Sequence, residues 1–413
     1  MSIRIGDRVL AAPKGHTAGT HRTRSPADTL AAWAPLMPRL GITRLADITG
    51  LDVIGLPVAQ AIRPNARSVS VSQGKGLDVA AARASALMEA IEAWHGERVA
   101  APLRHEQARA LRRAGEAAVD LHRLPRRAGA EVRDDAPLLW CQGWDLLQQR
   151  PTWVPHACVS VDFVRDPREL LPAFIESTSG LASGNHLLEA AVHALCELVE
   201  RDATALAALR PPAEEAAHRL DLASVDDPAC RAVLDKIAAA EVEVGVVDIT
   251  SDVGVPAYAC RLVDRPGGPR WAARGASGGY GCHLDPAVAL LRALTEAVQA
   301  RLTLIAGSRD DLSLRTYEAF ADPQAIALEA AALRAVTPTR PLAAAPRLAT
   351  GSFEGDLAVL LDRLRAVGCE SAVLVDLTRP EIGVPVVRLV VPGLEGRFAG
   401  AAPGPRARAR GAA

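Results

Sequence analysis

Between Ser177 and Thr204 the chain reads STSGLASGNHLLEAAVHALCELVERDAT. At about 100° per residue of α-helix, Glu189, His193, Glu197 and Glu200 fall within an arc of roughly 80°. Leu188, Val192, Leu195 and Val199 gather on the opposite side, where a core would take them. Carboxylates one turn apart repel one another by roughly a few tenths of a kcal/mol per pair. A solvated acidic face is the plain reading of such a pattern. The sharper reading is a cation on that face, because Mg²⁺ prefers carboxylate oxygens together with phosphate and water.

Recurrence favours the sharper reading. Ser85-Ala-Leu-Met-Glu89-Ala-Ile-Glu92 matches His193-Ala-Leu-Cys-Glu197-Leu-Val-Glu200 position by position, and Arg292-Ala-Leu-Thr-Glu296-Ala-Val-Gln299 makes a third copy. Each follows a Gly-bearing segment: SQGKG at 72–76, SGLASGN at 179–185 and GASGGYG at 275–281. Small residues ahead of a helix let backbone N–H groups approach a ligand, and a helix N-terminus favours phosphate. The pattern predicts three loop–helix units converging on one anionic, metal-bound ligand. Glu89, Glu92, Glu189, Glu197 and Glu200 are then the candidate metal ligands. Arg201 and Arg301 could carry charge to phosphate, and Asn185 could orient a ligand at a helix start. Lys75 lies in a Gly-Lys-Gly fragment that resembles part of a phosphate loop, but the GxxxxGK spacing and the following Ser/Thr are missing. His193 reads as a hydrogen-bond partner on the acidic face rather than a ligand. Cys282-His283 lacks a third orienting group for nucleophilic catalysis.

Composition narrows the classes. The 413 residues are 49 % hydrophobic, enough for a sizeable core, with a formal net charge of -1. That balance does not suggest nucleic-acid binding by a basic surface, and 3 % aromatic residues argue against a stacking platform. Seven cysteines without a CxxC pair fit neither a disulfide framework nor a zinc knuckle. With no signal-peptide layout and no apolar run of membrane length, a soluble cytoplasmic protein is expected.

The elements that must carry these residues read as a mixed α/β (α+β) chain. Helices are expected from Pro26 to about Pro38, over 78–98, from Asn185 to Thr204, through 205–240, over 284–305 and near 355–367. Strands are expected at 69–72, 153–163, VEVGVVDIT, VPAYACRLVD, SAVLVDLT and VPVVRLVV. Residues 320–350 read as low in complexity. The organisation expected is an N-terminal arm and small α/β segment (1–67), a catalytic domain (68–398) and a disordered Arg/Ala/Pro tail (399–413).

SxxxExxE at Ser85–Glu92, NxxxExxxHAxxExxER at Asn185–Arg201 and EAxxxR at Glu296–Arg301 resemble the hallmark motifs of YcaO proteins. The resemblance runs from about Ser68 to Glu395. The N-terminal pieces THRTRSPADTL, GITRLADITGLDVIGLPV and RPNARSVSVSQGKGL look most like the TfuA-associated branch. It implies a YcaO-type fold around a Mg²⁺–ATP site. It also implies an enzyme that phosphorylates a peptide backbone amide oxygen and lets a nucleophile replace it. By that likeness the five glutamates hold Mg²⁺, while Ser85, Asn185, Arg201, Gln299 and Arg301 contact the nucleotide. Lys14 and Thr29 of the arm also reach it. Glu200 and Arg201 would serve the transfer itself. The Pro-x-Pro-x-Pro terminus of azoline-forming members is absent, so the expectation is thioamide formation on a precursor peptide, with a TfuA protein and sulfide or another sulfur donor. Azoline-forming cyclodehydration is the alternative. No membrane or nucleic-acid partner is expected, and a homodimer is. A nucleotide-binding scaffold without turnover and a small-molecule ligase remain as readings from other classes.

Overall fold

The computed structural model describes residues 3–164, 173–211, 214, 216–265, 275–396, 398 and 400–411. Its strands are β1 (Ile3–Ile5), β2 (Arg8–Leu10), β3 (Arg44–Asp47), β4 (Val58–Ile62), β5 (Val71–Lys75), β6 (Leu103–Gln107), β7 (Pro137–Asp145), β8 (Arg150–Pro155), β9 (Leu181–Ser183), β10 (Val242–Asp248), β11 (Ala257–Asp264), β12 (Ala276–Cys282), β13 (Val373–Asp376) and β14 (Val386–Val390). The helices are α1 (Pro26–Trp33), α2 (Val79–Gly96), α3 (Ala108–Arg113), α4 (Leu187–Ala207), α5 (Pro228–Ala239), α6 (Pro286–Ala306), α7 (Leu314–Phe320), α8 (Pro323–Ala335), α9 (Phe353–Ala366) and α10 (Pro405–Ala409).

Four antiparallel sheets result: β1-β2, β3-β4-β5, β10-β11-β12, and a six-stranded sheet ordered β6-β7-β13-β14-β9 with β8 on β7. Three of them end on β5, β9 or β12, and each of these strands leads directly into a long helix. The three units β5-α2, β9-α4 and β12-α6 are built alike. Their helices are capped at the same place by Asp78, His186 and Asp285, which accept the backbone N–H of Ala81, Leu188 and Ala287. Each cap stands seven residues before Ser85, His193 or Arg292, the first residue of each sequence copy.

Two glycines of these units serve packing. A Cβ on Gly74 would lie 2.0 Å from the Ala86 nitrogen, and one on Gly281 would lie 2.1 Å from the Ala289 carbonyl oxygen. Helix and strand backbones touch at matched positions, and only a residue without Cβ fits. SQGK and ASGGYGC are therefore strands rather than the loops expected from sequence. Residues 267–274 of the expected Gly-rich loop lie outside the described residues.

Each helix anchors its own core. α4 packs with α9, β13 and β14; α2 with β4, β7 and β8; and α6 with α5, β10 and β11. Several sequence expectations change. The strand expected over 153–163 ends at Pro155, where a 3₁₀ turn at His156–Cys158 begins. Residues 205–240 are helical mainly at Pro228–Ala239, and 320–350 hold α8. The tail is ordered over the described residues 400–411. Arg127 and Ala401 form an antiparallel bridge, α10 follows, and Ala407 is buried.

Candidate active site

The three helices face a cavity of about 1030 Å³. α2 contributes Ser85, Glu89 and Glu92; α4 contributes Glu189, His193, Glu197, Glu200 and Arg201; α6 contributes Arg292, Glu296 and Gln299. Lys75 enters from β5 and Asn185 from the turn before α4. The arm adds Arg22, Arg24 and Thr29. Thus eleven of the residues expected in sequence to bind metal or nucleotide line one space: Thr29, Lys75, Ser85, Glu89, Glu92, Asn185, Glu189, Glu197, Glu200, Arg201 and Gln299. Leu188, Val192, Leu195 and Val199 fill the core as expected. The acidic face is not solvated, since Glu189 and Glu200 are 2 % and 1 % exposed.

Two expected residues stand outside the lining. Lys14 is buried against Asp356 at 2.7 Å and donates to the Thr350 carbonyl oxygen. Arg301 lies about 140° around α6 from Glu296, where it pairs with Asp52 at 2.9 Å and Asp264 at 2.7 Å. Arg292, one turn before Glu296, occupies the face that sequence reading gave to Arg301. Its place and that of Glu296 follow from the register of the copies: Arg292 aligns with Ser85 and His193, and Glu296 with Glu89 and Glu197. Arg22, Arg24 and Arg309 also line the cavity and carry no local signal.

Charges interlock across the units. Lys75 pairs with Glu296 at 2.8 Å, joining β5 to α6. Arg201 lies 3.5 Å from Glu197 and 3.7 Å from Glu200. Glu92 accepts two hydrogen bonds of 2.8 Å from the Ser183 N–H and hydroxyl, joining α2 to β9. Glu189 accepts from the N–H and hydroxyl of Thr23, fastening the arm to α4. The Asn185 amide donates to Thr29 and accepts from the Trp33 indole. In two units the mid-helix glutamate takes a backbone N–H close to its own strand: Glu197 from Gly180 and Glu296 from Tyr280.

Burial sets the protonation states. It pushes the Glu89 carboxyl up to about 7 against the pull of Lys75, and the Glu92 carboxyl up to about 8 against the Ser183 donors. Burial and the neighbouring Glu296 raise Glu200, and its Oε2 is buried without a hydrogen-bond partner. Burial alone would raise Glu296 too, but Lys75 and Arg201 outweigh it and hold that carboxyl below its usual value. His193 is kept neutral by burial and by Arg292 and Arg22.

Among the described residues no three His, Cys, Asp or Glu side chains stand as a ready-made metal cluster. Mg²⁺ is commonly held by one or two carboxylates with phosphate oxygens and water completing its shell. The donor chemistry fits that mode. Hard, under-paired carboxylates with raised pKa values stand beside Arg22, Lys75, Arg201 and Arg292, which suit phosphate.

Fold and cavity together give a candidate site whose donor set suits a metal–polyphosphate ligand. The family model described as "YcaO cyclodehydratase, ATP-ad Mg2+-binding" matches residues 73–395, and the chain belongs to the YcaO family, whose members bind ATP and Mg²⁺. It is 40 % identical over 377 residues to an uncharacterized protein in the tfuA 3′ region of Rhizobium leguminosarum bv. trifolii, covering 91 % of this chain and 88 % of that one. A Methanothermobacter thermautotrophicus protein is 36 % identical, covering 90 % and 94 %. Among solved structures, the YcaO protein from Methanopyrus kandleri bound with AMPPCP and Mg²⁺ superposes with a TM-score of 0.71 at 20 % identity, covering 94 % of this chain and 98 % of that one. A heterocyclase in complex with substrate and cofactor gives 0.77 at 23 %, with 96 % of this chain matching 55 % of that one. Among the described residues, no helix is long and apolar enough to cross a membrane.

Proposed function

We propose that the chain catalyses ATP-dependent thioamide formation in the backbone of a ribosomally made peptide, acting with a TfuA protein. The observation carrying this reading is the three-unit cavity, in which under-paired glutamates face arginines, in a chain 40 % identical to a protein of a tfuA region. A peptide carbonyl oxygen is a poor leaving group, and phosphorylation makes it a good one. The amide oxygen takes the γ-phosphoryl group and ADP departs. Hydrosulfide then adds to the carbonyl carbon, and phosphate leaves with the original oxygen, giving C=S. The hydrosulfide proton ends on phosphate.

In this reading Glu89, Glu92, Glu189, Glu197 and Glu200 would hold Mg²⁺. Bound Mg²⁺ would supply charge neutralisation on the phosphates. Arg201, fixed by Glu197 and Glu200, meets the charge that develops during transfer. Lys75, Arg22 and Arg292 bind phosphate oxygens, while Ser85, Asn185 and Gln299 position the nucleotide.

Cyclodehydration is the second reading, favoured by the family model's description and the heterocyclase superposition. One experiment separates them. The protein, a TfuA partner and the peptide encoded beside it are incubated with Mg²⁺–ATP, with and without sulfide, and the peptide is weighed. A gain of about 16 Da with phosphate release supports thioamidation; loss of one water supports cyclodehydration. Nucleotide binding with neither change would leave only a scaffold.

A further inference from the structure

Beyond the cavity, a buried polar cluster joins the C-terminal segment to the end of α4. Asp202 follows Arg201 in sequence and is fully buried. Its Oδ1 accepts from Arg406 Nε at 2.9 Å and from the Glu395 N–H at 3.0 Å; its Oδ2 accepts from Arg406 Nη2 and the Ser251 hydroxyl, each at 3.2 Å. The Arg406 side chain is 13 % exposed and also bonds Asp252.

The segment bearing Arg406 is itself held. The Glu395 carboxylate accepts three backbone N–H groups, from Gly404, Arg406 and Ala407. Gly404 approaches so closely that a Cβ would lie 2.5 Å from Glu395 Oε1. Upstream, Ala402 donates to the Arg126 carbonyl and Ala128 to that of Gly400. A two-pronged guanidinium on a buried carboxylate fixes both position and rotation, which a point charge does not.

Asp202 lies on the same turn as Glu200 and Arg201. We infer that Arg406 is a positioning residue for the cavity: by locking Asp202 it sets the rotation of the α4 turn that presents Glu200 and Arg201. This rests on the nucleotide-site reading given above. The contact also explains why an Arg/Ala/Pro segment orders, since its Arg406 and Arg410 charges are met by Asp202 and Asp252 and its backbone N–H groups by Glu395.

The test uses the full chain with Arg406→Gln, Arg406→Lys and, as control, Arg410→Gln, which removes a contact to the exposed Asp252 only. Two readouts are taken: amide exchange across 197–204, and calorimetric binding of AMPPCP with Mg²⁺. Arg406→Gln is expected to speed exchange in that turn and to weaken AMPPCP by about fivefold or more, with free guanidinium restoring part of the loss. Arg410→Gln should match the wild type in both. Should Arg406→Gln not fold, Arg406→Lys decides, with faster exchange and a loss of about two- to threefold. Unchanged exchange at 197–204 overturns the inference, whether or not nucleotide binds. A lowered unfolding midpoint with unaltered AMPPCP affinity also overturns it, because that is what a tether alone would do. Absence of AMPPCP binding by the wild type would instead sink the nucleotide-site reading, leaving the exchange arm to decide on Arg406.

Discussion

Glu92 and Glu97 leave the same helix less than two turns apart, in opposite electrostatic states. Glu97 is wrapped by donors: the Arg63 guanidinium, the Ser68 hydroxyl, the N–H groups of Arg67 and Ser68, and Arg98. Burial alone would raise its carboxyl, but the Ser68 hydroxyl and Arg63 outweigh burial and hold it below the usual range. Glu92 receives both its hydrogen bonds from Ser183 and is pushed up to about 8. The contrast separates a carboxylate whose charge is compensated by built-in partners from one whose burial outweighs its partners. The first holds the scaffold; the second is the kind of carboxylate the proposed Mg²⁺ site uses.

Substitutions that swap these states should give opposite signatures. Glu97→Gln strands the buried Arg63 charge and is expected to destabilise the chain by about 3–5 kcal/mol, read in urea unfolding. Glu92→Gln or Glu89→Gln should lower ATP turnover by about 10²-fold or more while the unfolding midpoint holds or rises. Full ATPase activity in either variant would remove that carboxylate from the site. Gly281→Ala, which pushes a methyl into the α6 backbone, should fall between scaffold and site. About 1–3 kcal/mol of stability is lost, and the wall bearing Arg292 and Glu296 shifts.

The smallest effect is the most diagnostic. A carboxyl with a raised folded-state pKa favours the fold below its unfolded value near 4.5, and that contribution is lost as pH rises through the folded value. Without ligand, the chain should therefore lose stability as pH rises from about 4.5 through about 8, by about 1 kcal/mol or more. Glu92→Gln should flatten the slope. Affinity for AMPPCP with Mg²⁺ should rise across the same range, since the ionised carboxylates bind the cation. A parallel pH profile in wild type and Glu92→Gln would contradict the assignment.

What the sequence made legible follows the range of the interactions. Helices α2, α4 and α6 were readable because apolar residues at helical spacing and their repeated motif are local. The repeat also held Arg292 and Glu296 in register, although the EAxxxR motif drew attention to Arg301 instead. Gly74 and Gly281 do not reveal their packing role in sequence, because a backbone approached by a phosphate and one approached by a helix require the same missing Cβ. Arg22, Arg24 and Arg309 reach the cavity only through tertiary closure. The tail looked disordered from composition alone, yet Arg406 finds its partner 204 residues away.

The mid-helix glutamates Glu197 and Glu296 each hold an amide near their own strand. A ligand that draws such a carboxylate into its own shell would weaken that hold and free the N–H to exchange with water. Gly180 and Tyr280 would thus serve as built-in gauges of two walls. Read residue by residue, they would tell which walls a given ligand engages and in what order, before any product forms.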